Sequence, residues 1–320
     1  MIYHMLSWTY GEQTADTFMG RVGLYGVSIF YVLSGLTLQH VYFDEMTDLR
    51  AVRRFFVRRV FRIFPLLWLV TFAAIAVAGT LPNPVDLFLN LTGLFGFVAW
   101  DTYFATGAWS IGNELVFYAF FPLIVMAARV RFGLAVIGVL LGGVYFAFAF
   151  VFLSPDVSFG DQWSDYVNPL NQVFLFYAGF LIGHLLRRVP LPRPLVHLLL
   201  WGALAAFVLW PTGAESIELV TGWNRVIFTL LCVVLCAAAY KLRAITWGPA
   251  HLTLVTLGHI SYAVYLLHPL IYVALGTPGV LGAQSQAAAT IVLTIIAAYA
   301  SYRWMEMPLN RWGRSVSFRV

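Results

Sequence analysis

A few ionisable side chains stand inside long apolar runs, and they are the groups whose chemistry needs explaining: His4, Arg59, Arg62, Glu114, His184, His259 and His268, with Glu306 at a helix end. A titratable group within hydrocarbon is costly, so each is a functional candidate unless its head can snorkel to the interface. His4 sits in Tyr3-His4-Met5-Leu6, near the start of the chain. A neutral imidazole can accept a proton near pH 7, which suits a general base; the competing reading is a histidine that only hydrogen-bonds a neighbouring helix. Arg59 and Arg62 are three apart, so on a helix they share a face. Two guanidiniums so placed suit a phosphate, which they grip with forked hydrogen bonds, although snorkelling to lipid phosphates would use the same geometry.

Glu114 lies some six residues into the segment that begins at Ala108, roughly 9 Å below its end at 1.5 Å per residue. A carboxylate at that depth needs a partner or a water-filled cavity, and it serves either catalysis or a polar clasp between helices. Ser261, Tyr265 and His268 recur at three-to-four spacing and form a stripe that could line an internal cavity. His184 and His259 fall near span ends, where solvation is easy. Cys232 and Cys236, four apart in one apolar run, read as two small buried side chains; neither a metal site nor a disulfide is expected.

The elements that carry these residues must be membrane helices. Of 320 residues, 61% are hydrophobic and 10% charged, a balance that cannot cover a water-soluble surface. The runs are apolar on all sides, which fits helices and not the alternating strands of an outer-membrane barrel. Residues 1–10 read as the end of a first helix, followed by spans near 22–42, 57–79, 108–129, 132–153, 169–187, 194–211, 223–241, 252–275 and 284–304. The run 85–100, interrupted by Pro82, Pro84 and Gly93, reads as an outer-face or re-entrant segment. The expectation is an all-α polytopic bundle of about ten spans, one domain over residues 1–320.

Charge orients it. All but Arg21 and Arg225 of the 19 Lys and Arg residues fall on the even-numbered connections with the helix mouths beside them, including the connection 43–56 with the mouth of the next helix, and on the C-terminal tail, whereas nine of the 14 acids fall on the odd connections. By the positive-inside rule both termini are cytoplasmic. The net charge of +5 then needs no nucleic-acid partner, since anionic lipid headgroups satisfy it.

Several segments occur together in order: Gly26-Val27-Ser28-Ile29-Phe30-Tyr31-Val32-Leu33-Ser34-Gly35, Arg58-Arg59-Val60-Phe61-Arg62-Ile63-Phe64-Pro65, Trp109-Ser110-Ile111-Gly112-Asn113-Glu114-Leu115-Val116-Phe117-Tyr118, Ile260-Ser261-Tyr262-Ala263-Val264-Tyr265-Leu266-Leu267-His268 and Met305-Glu306-Met307-Pro308. In this the chain resembles the acyltransferase-3 family of bacterial integral membrane O-acyltransferases. The resemblance implies transfer of an acyl group, most often acetyl, from cytoplasmic acyl-CoA to a hydroxyl of a glycan, glycolipid or secondary metabolite in the bacterial inner membrane, with no bound cofactor or metal. It also implies that His4 matches the family's first-helix histidine and that Arg59 and Arg62 match its Arg-x-x-Arg pair, associated with the acyl donor. The family's first helix begins well before its histidine, so residues 1–10 are expected to be a truncated version of it.

In the scheme this implies, His4 deprotonates the acceptor hydroxyl and Glu114 orients an imidazole or the acceptor. Ser34, Trp109 and Tyr265 are candidate donors to the developing oxyanion. The alternative from another class is a transporter or flippase for a lipid-linked glycan, in which intramembrane His, Arg and Glu form a proton relay.

Overall fold

The computed structural model describes residues 1–242, 247–276 and 282–318. Arg243 and Arg319, two of the basic residues read above, lie outside the described residues. Every regular element among the described residues is helical: α1 (Ile2–Tyr10), α2 (Phe18–Tyr42), α3 (Leu49–Ala78), α4 (Pro84–Thr92), α5 (Phe95–Val98), α6 (Ala108–Ala127), α7 (Gly133–Ala147), α8 (Trp163–Val167), α9 (Pro169–Leu186), α10 (Arg193–Leu209), α11 (Ser216–Val220), α12 (Gly222–Lys241), α13 (Gly248–Leu275), α14 (Ala283–Ser301) and α15 (Met307–Ser317). A π-helical turn, Phe148–Phe152, extends α7, and a second, Tyr302–Glu306, joins α14 to α15.

Eight helical segments among the described residues are long and apolar enough to cross a membrane. The other two expected spans are helical but short, α10 with 17 residues and α1 with 9. The run 85–100 folds into α4 and α5, both too short to span.

Several boundaries differ from the sequence reading: α2 and α13 start earlier, helix continues past 304 as α15, and the start of α3 moves into an expected connection. Residues 43–56 are not a connection throughout, because α3 starts at Leu49, where the Asp48 carboxylate accepts the Ala51 amide at 2.7 Å. Arg50, Arg53 and Arg54 are therefore helical. Nothing between Asp48 and Pro65 breaks a helix, and an apolar window finds only the part of it that enters hydrocarbon. At 30 residues α3 is about 45 Å long, well beyond the roughly 30 Å of hydrocarbon, so its arginine-bearing turns project from the span.

The chain forms two compact units. Unit 1 comprises Met1–Gly11, Thr47–Gly112 and Ala244–Val320; unit 2 comprises Glu12–Met46 and Asn113–Arg243. The boundary falls inside α6, with residues 108–112 in the first and 113–127 in the second.

Unit 2 is centred on α2 and α9, whose backbones touch at two glycines. A Cβ on Gly35 would overlap the carbonyl of Phe176, and one on Gly179 the carbonyl of Val32. Small residues at a crossing let membrane helices approach closely enough for dispersion to hold them, there being no hydrophobic drive between helices in lipid. The connections sort to opposite ends of this unit. At one end Arg187 pairs with Asp44 at 2.5 Å, Arg129 Nη2 donates to the Met46 carbonyl at 2.7 Å, and Lys241 Nζ donates to the Val189 carbonyl at 2.7 Å. At the other end the Ala15 amide donates to the Ala214 carbonyl at 2.8 Å.

The two arginines that depart from the charge pattern are both buried here. Arg21 donates to the carbonyls of Phe207, Val208 and Trp210 at 2.9, 2.6 and 2.8 Å, satisfying groups that the end of α10 leaves without amide donors. Arg225 donates to the Asn171 carbonyl at 3.0 Å and lies over the Tyr145 ring. Their positive charge serves helix ends and turns rather than lipid headgroups.

In unit 1, α13 packs on α3 and α14, and α15 runs along α3. Gly313 lets α15 approach so closely that a Cβ there would lie 2.6 Å from the Cβ of Phe61. Arg58 Nε donates to Ser317 Oγ at 3.2 Å, and Tyr262 donates to the Ile63 carbonyl at 3.0 Å, tying α15 and α13 to α3.

Candidate functional site

Two histidines far apart in sequence meet in unit 1. His4 on α1 and His268 on α13 approach with Nδ1 of the first 2.7 Å from Nε2 of the second. The ring planes are 16° apart with centroids 5.0 Å apart, the arrangement of an in-plane N–H···N bond. His268 Nδ1 is also 2.9 Å from the Val264 carbonyl. A carbonyl can only accept, so that nitrogen carries the proton; a neutral imidazole then has its lone pair on Nε2, and His4 Nδ1 must donate to it. The network thus assigns the tautomer of His4, with the remaining lone pair on its Nε2.

Aromatic rings enclose the pair. Trp8 lies against His4 with 5.0 Å between centroids and 12° between planes, Tyr3 flanks it at 5.2 Å, and Tyr272 meets Trp8 at 4.5 Å. His268 is 1% exposed. A π face beside His4 favours the imidazolium that appears when the ring takes a proton. The helix bearing His268 lacks one intrahelical bond at this turn, because Pro269 offers no N–H to the Tyr265 carbonyl.

The other stripe residues divide. The Tyr265 ring is 6.3 Å from that of His268, but its hydroxyl is engaged in a triangle: Tyr265 Oη to Gly107 O is 3.2 Å, Ser110 Oγ to Tyr265 Oη 3.0 Å and Ser110 Oγ to Gly107 O 3.0 Å. Trp109 is buried beside this triangle's Ser110 in the chain. Ser261 hydroxyl donates within its own helix, to the Gly258 carbonyl at 2.9 Å. Gly107 has φ of +88° and the Tyr265 ring 3.1 Å from where a Cβ would stand, so both backbone and space call for glycine there.

Arg62 Nη1 donates to Glu306 Oε2 at 2.8 Å, and its guanidinium lies 5.5 Å from the centre of the Tyr262 ring. Arg59, one turn earlier on α3, lies over Phe55 at 5.8 Å. Glu306 is 2% exposed and also accepts from Ser301 Oγ at 3.3 Å.

Glu114 and Ser34 belong to unit 2 and are joined there by Tyr118. The Tyr118 hydroxyl donates to Glu114 Oε2 at 2.6 Å and stands 3.4 Å from Ser34 Oγ. Next to Glu114, the fully buried Asn113 donates to Tyr31 Oη at 3.1 Å. His184 and His259 pack on aromatic rings, the first stacked on Phe180 and the second on Tyr302.

Three pairings were not part of the sequence reading. Tyr118 stands four residues after Glu114, a spacing that places both on one helix face and was available as a signal. Glu306 is the single acid after Glu218 in the sequence, in a tail otherwise basic, which marks it as paired. That His268 bonds His4 had no local signal, because the two are 264 positions apart.

The sequence model of the acyltransferase-3 family, described as an acyltransferase domain, matches residues 1–303. No curated protein and no solved structure matches the chain. The chain belongs to the acyltransferase-3 family and is a multi-pass membrane acyltransferase.

Proposed function

We propose that the protein is a membrane O-acyltransferase of the bacterial inner membrane that moves an acyl group, acetyl foremost, from cytoplasmic acyl-CoA to a hydroxyl of a glycan, glycolipid or secondary metabolite. The observation that carries this reading is the bond between His4 Nδ1 and His268 Nε2 at 2.7 Å, which leaves His4 Nε2 as the proton-accepting atom.

The step balances as follows. His4 Nε2 takes the proton of the acceptor hydroxyl as that oxygen forms a bond to the thioester carbonyl carbon. The carbon–sulfur bond then breaks, and the CoA thiolate leaves with the proton that His4 returns. While charged, His4 keeps its Nδ1–H on His268 and the Trp8 ring at its face, so the imidazolium is stabilised without a carboxylate. Holding donor and acceptor together supplies much of the remaining acceleration. Arg59 and Arg62, at the arginine-rich end of α3, are assigned to the CoA phosphates. Glu114, held by Tyr118, is assigned to the acceptor.

The test is transfer of labelled acetyl from acetyl-CoA to sugar acceptors in proteoliposomes containing the purified protein. Transfer that requires both His4 and acetyl-CoA supports the reading. Acceptor translocation without any acyl transfer would replace it with a flippase.

A further inference from the structure

We infer that Glu306 is a positioning residue for donor recognition, fixing the guanidinium of Arg62 so that its remaining N–H edge is presented to a phosphate; this rests on the assignment of Arg62 to acyl-CoA.

The geometry argues for a fixed support. Glu306 stands at the last position of the π-helical turn Tyr302–Glu306, a kind of local insertion that re-aims side chains and is frequent at functional sites. Its carboxylate is buried and bound by two donors, Arg62 Nη1 and Ser301 Oγ. Removing Arg62 from it would strand a buried charge, so the pair persists when a ligand arrives. A guanidinium offers several N–H donors in a rigid fork, and Glu306 engages one nitrogen. The Tyr262 ring lies against the same guanidinium, and Tyr262 is itself anchored to the Ile63 carbonyl on α3. Arg62 is thereby held on two sides while its side chain keeps 27% of its surface accessible. Because Glu306 offsets the charge of Arg62, the contribution of Arg62 to an anion is chiefly directed hydrogen bonds. A flexible arginine would lose more conformational entropy on binding than one already held.

The test measures CoA and acetyl-CoA binding, and the KM of donor and acceptor, in the reconstituted wild type and in Glu306→Ala, Glu306→Asp, Glu306→Gln and Arg62→Ala. Glu306→Ala and Glu306→Asp should weaken donor binding about tenfold with the acceptor KM unchanged, whereas Glu306→Gln, which keeps an oxygen for Arg62, should stay within about threefold. In an Arg62→Ala background, Glu306→Ala should add no further loss. Should the alanine variant not fold, the Asp and Gln pair reads the same contrast. Donor binding that is unchanged or tighter in Glu306→Asp would overturn the inference, tighter binding meaning that the carboxylate competes with phosphate. If the wild type binds no CoA, the donor assignment itself falls.

Discussion

His4 Nδ1 and His268 Nε2 lie 2.7 Å apart, and because His268 Nδ1 is bonded to the Val264 carbonyl, the second histidine dictates which nitrogen of the first can accept a proton. Replacing His4 by Ala should therefore abolish transfer, lowering kcat by about 100- to 10,000-fold, with folding and acyl-CoA binding retained. Near-full activity in that variant, measured with labelled acetyl-CoA in proteoliposomes, would move the base elsewhere.

If His4 is the base, His268 acts through it and should show a milder phenotype with a distinct signature. His268→Ala frees His4 to adopt the other tautomer or to rotate, so kcat should fall about tenfold while donor binding holds. His268→Gln, whose amide oxygen can still accept the His4 Nδ1–H, should recover most of that loss. In the wild type, activity should be lost as pH falls, since a protonated His4 has no lone pair on Nε2, and retained as pH rises through neutrality. An equal loss in the Ala and Gln variants would indicate packing rather than orientation.

Tyr118→Phe removes the O–H that donates to Glu114 at 2.6 Å and leaves the ring in place. If Glu114 serves the acceptor, the acceptor KM should rise up to about tenfold with CoA affinity unchanged. A clasp between helices would instead lower the unfolding temperature and leave the kinetics alone.

The crossing of α2 and α9 gives a stability prediction. A Cβ at Gly35 or Gly179 meets a backbone carbonyl, which cannot swing aside as a side chain can. Gly35→Ala or Gly179→Ala should each destabilise the protein by about 1–3 kcal/mol or more, seen as a lower unfolding temperature in detergent. Gly26→Ala, on the same helix with open space around it, is the control and should be nearly neutral.

What could be read from the sequence follows from what hydropathy and charge encode. Long apolar runs located the long helices α2, α3, α6, α7, α9, α10, α12, α13 and α14, because hydrocarbon demands apolar side chains at almost every position, and they did not give the short helices α8 and α11. They missed the first turns of α3, where Arg50, Arg53 and Arg54 interrupt the apolar pattern although the Asp48 cap begins a helix. Membrane depth singled out His4, Arg62, Glu114 and His268, since an ionisable group in a span stands out by composition alone. Their partners did not stand out. The pairs His4 with His268 and Arg62 with Glu306 are set by how α1, α3, α13 and the turn after α14 pack, and a single sequence carries no record of that packing. Spacing places Ser261 on the stripe with Tyr265 and His268 but does not encode its bonding: its hydroxyl donates back to its own helix, to Gly258.

Unit 2 supplies positions that report the orientation of the bundle. Its Arg129, Arg187 and Lys241 meet at one end with Asp44 and Met46, while Ala15 and Ala214 pair at the other, so labelling one position at each end decides the sidedness of both sets. Cys232 and Cys236 are buried in α12 and should not react with an impermeant maleimide, which allows single cysteines to be introduced without rebuilding the core. By the positive-inside rule, Asp161→Cys and Glu215→Cys should label from outside intact cells, and a cysteine at exposed Glu45 only after lysis. Labelling of positions 161 and 215 from the cytoplasmic side alone would invert the topology and place the arginine end of α3 away from the cytoplasmic pool of acyl-CoA, removing the basis for assigning Arg59 and Arg62 to the donor.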